Sequence, residues 1–283
     1  MRLPLVLVGV LAAPSLVACA VAAPDPSPDT TNPAPSTATA VVEVARTTGP
    51  SDTARTDAVV ARVVRVKQGA LDESALRLAG LPEELPAPGT CFVPSEASTL
   101  NPGRSVELLD IGPVSMTSDT GETKTKSTLL MPRSMPDPAG VVSGFFYSAR
   151  SPDAFAAGSK VSFKTPGSID LPEGFAISVN APKDLTDVRA LFGNDGALDV
   201  AWDATEADAH DVVYADLLSP APRIVLRCVA NDTGHLVVPA NAVGGIDDGQ
   251  LSVHRLHRES FRTKGIEPGE IRFDIARVVT FRR

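Results

Sequence analysis

The sequence predicts an all-β fold of two sandwich-like domains behind an export signal and a flexible tether. Three observations carry that prediction. From residue 57 to residue 281, short runs rich in valine, isoleucine and aromatics alternate apolar with polar side chains. Turn clusters such as Pro86-Ala87-Pro88-Gly89, Asn101-Pro102-Gly103 and Asn194-Asp195-Gly196 separate these runs. Helical periodicity is confined to one short segment, residues 72–78. Short β-runs between turn signals read as a sandwich or barrel.

The N-terminus states an address. Arg2 precedes an apolar run over residues 3–13, too short for the ~20 residues that span a bilayer but suited to a signal-peptide core. Leu16, Val17, Ala18 and Cys19 follow. This order resembles the lipobox of bacterial lipoproteins, in which the cysteine thiol takes a diacylglyceryl group and becomes the new amino terminus. The resemblance implies a signal peptide at 1–18 and a palmitate-type acyl anchor at Cys19. Two or three acyl chains, at about 0.8 kcal/mol per buried methylene, hold a membrane firmly. Alanines at 18, 20 and 22 would also suit ordinary secretion, but a cysteine there favours lipidation. Ala20 stands where aspartate would signal inner-membrane retention, which points to the outer membrane of the cell envelope.

Residues 19–56 read as the tether. Pro24, Pro26, Pro28, Pro33 and Pro35 interleave with small polar residues and no aromatic, a composition that cannot bury enough surface to offset chain entropy. Within it, residues 40–45 are β-like, expected as a transient strand at most. The remaining chain suits one large or two ordinary domains, divided here as 57–170 and 171–283. A net charge of −8 argues against nucleic acid as a partner, because nucleic-acid binding needs a basic footprint.

In the first domain, residues 57–67 form a valine-rich, largely buried strand. Further strands are expected at 106–109, 127–131, 141–147 and 160–163. In the second, Phe175, Ile177 and Val179 alternate, then Leu198, Val200 and Trp202 share one face. Strands follow at 212–218, 224–229 and 235–238, the last two joined as a hairpin through Asn231-Asp232-Thr233-Gly234. Strands at 251–256 and 271–281 complete the set; in the last, Ile271, Phe273 and Ile275 point inward while Arg272 and Asp274 face water. Seven strands with one early tryptophan resemble a fibronectin type III or other immunoglobulin-like sandwich over residues 171–283. The whole layout is similar to that of uncharacterised bacterial lipoproteins with such a module. That resemblance implies a fold and brings no active-site residue.

Candidate chemistry is sparse. Cys91 and Cys228 remain after Cys19, an even pair in an oxidising compartment. Parity permits a bridge, but Cys228 lies on a core strand of the second domain and Cys91 in the first, which favours two free thiols. Asp195, Asp199, Asp208, His210 and Asp211 fall in an acidic stretch, and oxygen-rich loops at a sandwich end can hold calcium. Their spacing matches no calcium loop, and ion pairing with the basic C-terminal strands explains them equally. His254 and His257, three apart, point to opposite faces of a strand. Hydrolase and phosphate-loop motifs are absent, and no cofactor is implied. The expectation is therefore a lipid-anchored, non-catalytic binding or scaffold module whose partners are the membrane and another envelope protein. The alternative is a calcium-dependent ligand-binding protein or hydrolase using residues 195–211.

Overall fold

In a computed structural model of the chain, residues expected inside the tether form a central strand. The structure describes residues 38–51, 54–68, 77, 79–81, 84–94, 105–119, 125–135, 141–204, 208, 211–218, 224–244 and 246–283. The signal peptide, Cys19, the proline-rich start of the tether, the helical candidate apart from Arg77, and His210 lie outside them.

The strands are β1 Ala38–Thr48, β2 Arg55–Gln68, β3 Cys91–Phe92, β4 Ser105–Leu108, β5 Val114–Asp119, β6 Thr125–Ser134, β7 Val142–Ser151 and β8 Lys160–Thr165. They continue as β9 Phe175–Asn180, β10 Arg189–Phe192, β11 Leu198–Ala201, β12 Val212–Leu218, β13 Ile224–Asn231, β14 His235–Val238, β15 Asp248–Thr263 and β16 Ile266–Arg282. One helical turn, α1 Ala240–Val243, lies between β14 and β15. Thirteen strands run in one sheet, ordered β3-β13-β12-β15-β16-β1-β2-β4-β7-β6-β5-β8-β9, and β10-β11-β14 form a second. The fold is all-β, as its alternating pattern predicts.

β1 corrects the tether. Ala40, Val42 and Val44 point into one core while Val41 packs on the opposite face. The strand pairs parallel with β16 and antiparallel with β2. Residues 38–48 are too apolar to stay in water once two edges are available to them; the tether cannot extend beyond residue 37.

The division at residue 171 does not hold either. β8 and β9 pair across it, Lys160 opposite Asn180 through Thr165 opposite Phe175. The two largest cores among the described residues share strands. The first gathers Val42, Val59, Ala61, Met116, Phe155, Phe163, Phe175, Ile271 and Phe273, where β5, β8 and β9 curl back over β1, β2 and β16. The second gathers Val200, Trp202, Val213, Leu226, Leu251 and Val253 between β10-β11-β14 and β13-β12-β15-β16. This three-on-four layering is the sandwich that the tryptophan and strand count suggest, but it begins at β10, with β9 given to the first core. The β15–β16 hairpin is longer than its apolar stretches foretold. It turns through Lys264-Gly265, with Gly265 at φ 84°, and feeds Phe281 to one core and Ile266 to the other. Residues 35–283 accordingly form a single compact unit.

The Asn231–Gly234 turn makes no hairpin. β13 pairs with β12, and β14 pairs with β11 in the opposite sheet, so the turn carries the chain across the sandwich. Gly144 (φ 111°) lets β7 approach β4, since an added Cβ would stand 1.8 Å from the Leu108 carbonyl oxygen.

Candidate functional site

The acidic stretch does not converge. Asp195 is exposed and caps its own turn by accepting the Ala197 amide at 3.1 Å. Asp199 points outward from β11 beside His235, at 3.6 Å. Asp208 is exposed, while Asp211 is buried and accepts from Nδ1–H of His257 at 2.7 Å. Among the described residues no three His, Cys, Asp or Glu side chains come together as metal ligands. The four described carboxylates therefore form no common cleft.

His254 and His257 do lie on opposite faces of β15, as strand geometry requires, but neither is a solvated loop residue. His254 stacks on Tyr214 with ring centroids 4.3 Å apart. Its Nδ1–H donates to Asp274 at 2.8 Å, and its Nε2 lies 3.9 Å from Asp216. Tyr214 donates its hydroxyl to the other Asp274 oxygen at 2.7 Å, and Arg227 grips Asp216 through two bonds of 2.6 and 2.7 Å. Cross-strand register explains the meeting: Tyr214 is opposite His254, Leu256 opposite Asp274, and Asp216 opposite Arg227.

With Glu43, Arg272, Leu85, Leu256 and Ile224 these groups line a cavity of about 350 Å³. Burial alone would push the His254 imidazole down; the charge and hydrogen bond of Asp274, then the charge of Asp216, outweigh it and raise the value. The reverse balance holds Asp274 below the usual carboxylate range, burial opposing and His254 and Tyr214 prevailing. Burial first, then Asp274, drives the Tyr214 hydroxyl well above its ordinary value. The cluster is an ion network that fixes strand register.

Arg272 and Asp274, expected to face water, belong to this network because a strap covers them. Glu84 accepts from Arg258 and Arg272 at 2.6 and 2.8 Å. Leu85 and Phe92 pack with Tyr214, Val229 and Leu256. The strap ends in a disulfide between Cys91 and Cys228, a correction to the two free thiols. The two cysteines do not belong to separate domains: Cys91 lies on β3, hydrogen-bonded beside β13, and faces Cys228 directly. Trp202 is buried, and its Nε1–H donates to Asp232 at 2.6 Å. Tyr147 is also buried; burial and its bond to Asp110 raise it to about 12. Neither tyrosine is a sugar-stacking platform.

Another part of the surface is open and apolar. The outer side of β2, β7 and β6 is dished into a groove of about 840 Å³. Ala58, Val60, Phe146 and Met131 give it an apolar floor, and Arg133 and Arg150 stand at its sides. Leu129 and Met131 are 56% and 52% exposed. The cause of the hollow is a parting of strands. β6 pairs with β7 only from Met131 to Ser134; before that it turns to β5, Val114 opposite Leu130. Thr128 and Ala149 line the gap that opens between them. Neither Arg133 nor Arg150 has an ion-pair partner among the described residues, and no carboxylate lines the groove. Sequence reading missed this face, although two apolar residues on a strand with little other core duty were its visible sign.

No family model matches the sequence, and no curated protein matches it. Among solved structures, the chain is similar to the crystal structure of the FN1–FN3 domains of chicken CNTN1, with 13% identity and a TM-score of 0.21. That likeness covers 80% of this chain, which spans 62% of the other. At that score it carries no weight beside the strand order, which by itself gives an all-β protein with a three-on-four sandwich.

Proposed function

We propose that this protein is a lipid-anchored, non-catalytic binding module of the cell envelope, attached through Cys19, whose working face is the β2–β7–β6 groove. The observation that carries the reading is the contrast between two sets of polar groups. The buried histidines and their aspartates are consumed by internal partners, whereas Arg133 and Arg150 flank exposed apolar surface with no ion-pair partner among the described residues. Exposed apolar patches rimmed by polar groups mark interaction sites. The lipobox-like run supports the address, and tethering by acyl chains would keep the groove near other envelope proteins.

A photo-crosslinking residue at position 131, introduced in the native host, tests both parts together. Wild type should fractionate with membranes, incorporate labelled fatty acid and give a discrete protein adduct. Cys19→Ser should lose the lipid and most of the adduct. Wild type recovered soluble and unlipidated would remove the anchor; no adduct from either form would remove the groove.

A further inference from the structure

We infer that the groove takes an extended, acidic segment of a partner protein, in which two carboxylates four residues apart flank an apolar side chain. This rests on the groove being the binding face. Charge gives the sign. The chain carries −8 overall, so an acidic partner is repelled by the molecule at large. The groove is a local exception, with two exposed arginines and no lining carboxylate among the described residues. Guanidinium groups bind carboxylates through paired hydrogen bonds, and opposed charges steer encounter and fix register.

Geometry gives the spacing. Arg133 lies opposite Phe146, and Arg150 stands four residues beyond Phe146 on the same face of β7. Four residues of strand advance about 13–14 Å. An extended ligand lying along β7 meets the two arginines with side chains at positions i and i+4. Its residue i+2 points the same way and falls on Val60 and Met131, midway between them.

Strand geometry gives the conformation. Arg133 and Arg150 stand about four strand residues apart on one face, and only an extended segment covers that advance in four residues while sending alternate side chains to the same side.

The test uses the full mature chain and a labelled peptide of serine and threonine carrying glutamates at its third and seventh positions and leucine at the fifth. Fluorescence anisotropy should show saturable binding that weakens as salt rises. Arg133→Glu and Arg150→Glu should each weaken it at least tenfold, with circular dichroism unchanged because both side chains are exposed. Moving the second glutamate to the sixth position, onto the opposite face of the strand, should weaken it at least fivefold. No saturable binding, or binding indifferent to both substitutions or to that shift, overturns the inference. Capture by vesicles of anionic phospholipid, lost in the same two variants while the peptide does not bind, also overturns it and assigns the groove to a lipid surface. The crosslinker at position 131 separates the two levels. An adduct without peptide binding leaves a binding face with a different partner; no adduct removes the binding face itself.

Discussion

Asp57 is fully buried and accepts from Nε and Nη2 of Arg46 at 2.9 and 3.0 Å and from the Ala154 amide at 2.7 Å. Arg46 also donates to Asp184 at 2.7 Å and lies 3.7 Å over the Phe155 ring. Removing the Asp57 carboxylate leaves Nε of the buried Arg46 and the Ala154 amide without their acceptor, with Asp184 as the remaining counter-charge. Asp57→Ala should therefore cost about 3–5 kcal/mol, measured by urea denaturation; a loss under about 1 kcal/mol would mean that Arg46 finds water or another acceptor.

The histidines make a second residue-scale prediction. Around His254 stand Asp274 as acceptor, Asp216 as a second carboxylate charge, Tyr214 stacked above, and Arg227 nearby. Around His257 stand Asp211 and Glu259, whose bonds and charges raise it against its burial. Both values lie above the ordinary 6.5. Their stabilisation is complete below that pH and is lost as pH rises through the folded values. Asp274, held below 3.8, contributes fully above that pH and loses its contribution as pH falls through its folded value. Stability should be greatest in mildly acid solution. His254→Phe should flatten the decline above about pH 6.5 in a series of denaturation curves; an unchanged decline would remove His254 from the account. Strand alternation told the faces of these residues but not their partners, because pairing such as Leu256 with Asp274 depends on register between distant strands.

Among the elements, the strap from Glu84 to Phe92 and strand β1 show where sequence reading stops. The strap is rich in proline and has no alternation, so nothing local announces that it lies over Tyr214 and Leu256. The disulfide at its end closes a loop of sequence separation 137. Its reduction should cost about 2–5 kcal/mol, and thiol titration of the unfolded, unreduced protein should find Cys91 and Cys228 unreactive. Two labelled thiols would contradict the bridge. β1 misled for a different reason: its alternation is plain, but its neighbours are tether-like, and composition was averaged across the boundary. Trp202, by contrast, was legible because a clean alternation in Leu198-Asp199-Val200-Ala201-Trp202 needs no distant information to set its burial.

At the scale of the whole molecule, β15 and β16 serve both cores, and β1 joins the C-terminal hairpin to β2. Unfolding either core breaks strands of the other. Urea unfolding should be one cooperative transition, with Trp202 fluorescence reporting the sandwich core and far-ultraviolet circular dichroism the entire sheet. Two separated midpoints would restore independent domains. The all-β class and most strand positions followed from alternation and turn residues, and the sandwich from the resemblance that the strand count and Trp202 carried. The domain count and the groove did not, since both depend on which distant strands meet and where two of them part.

The claim that most needs a direct measurement is that the β2–β7–β6 groove is the surface the protein works with. A photo-crosslinker placed in turn at Leu129 and Met131 in the groove, and at Ile169 and Leu191, which are 91% and 65% exposed elsewhere, decides it in the native envelope. The account predicts one common adduct from the two groove positions and none from the other two. Equal adducts from all four, or adducts from Ile169 and Leu191 alone, would contradict it.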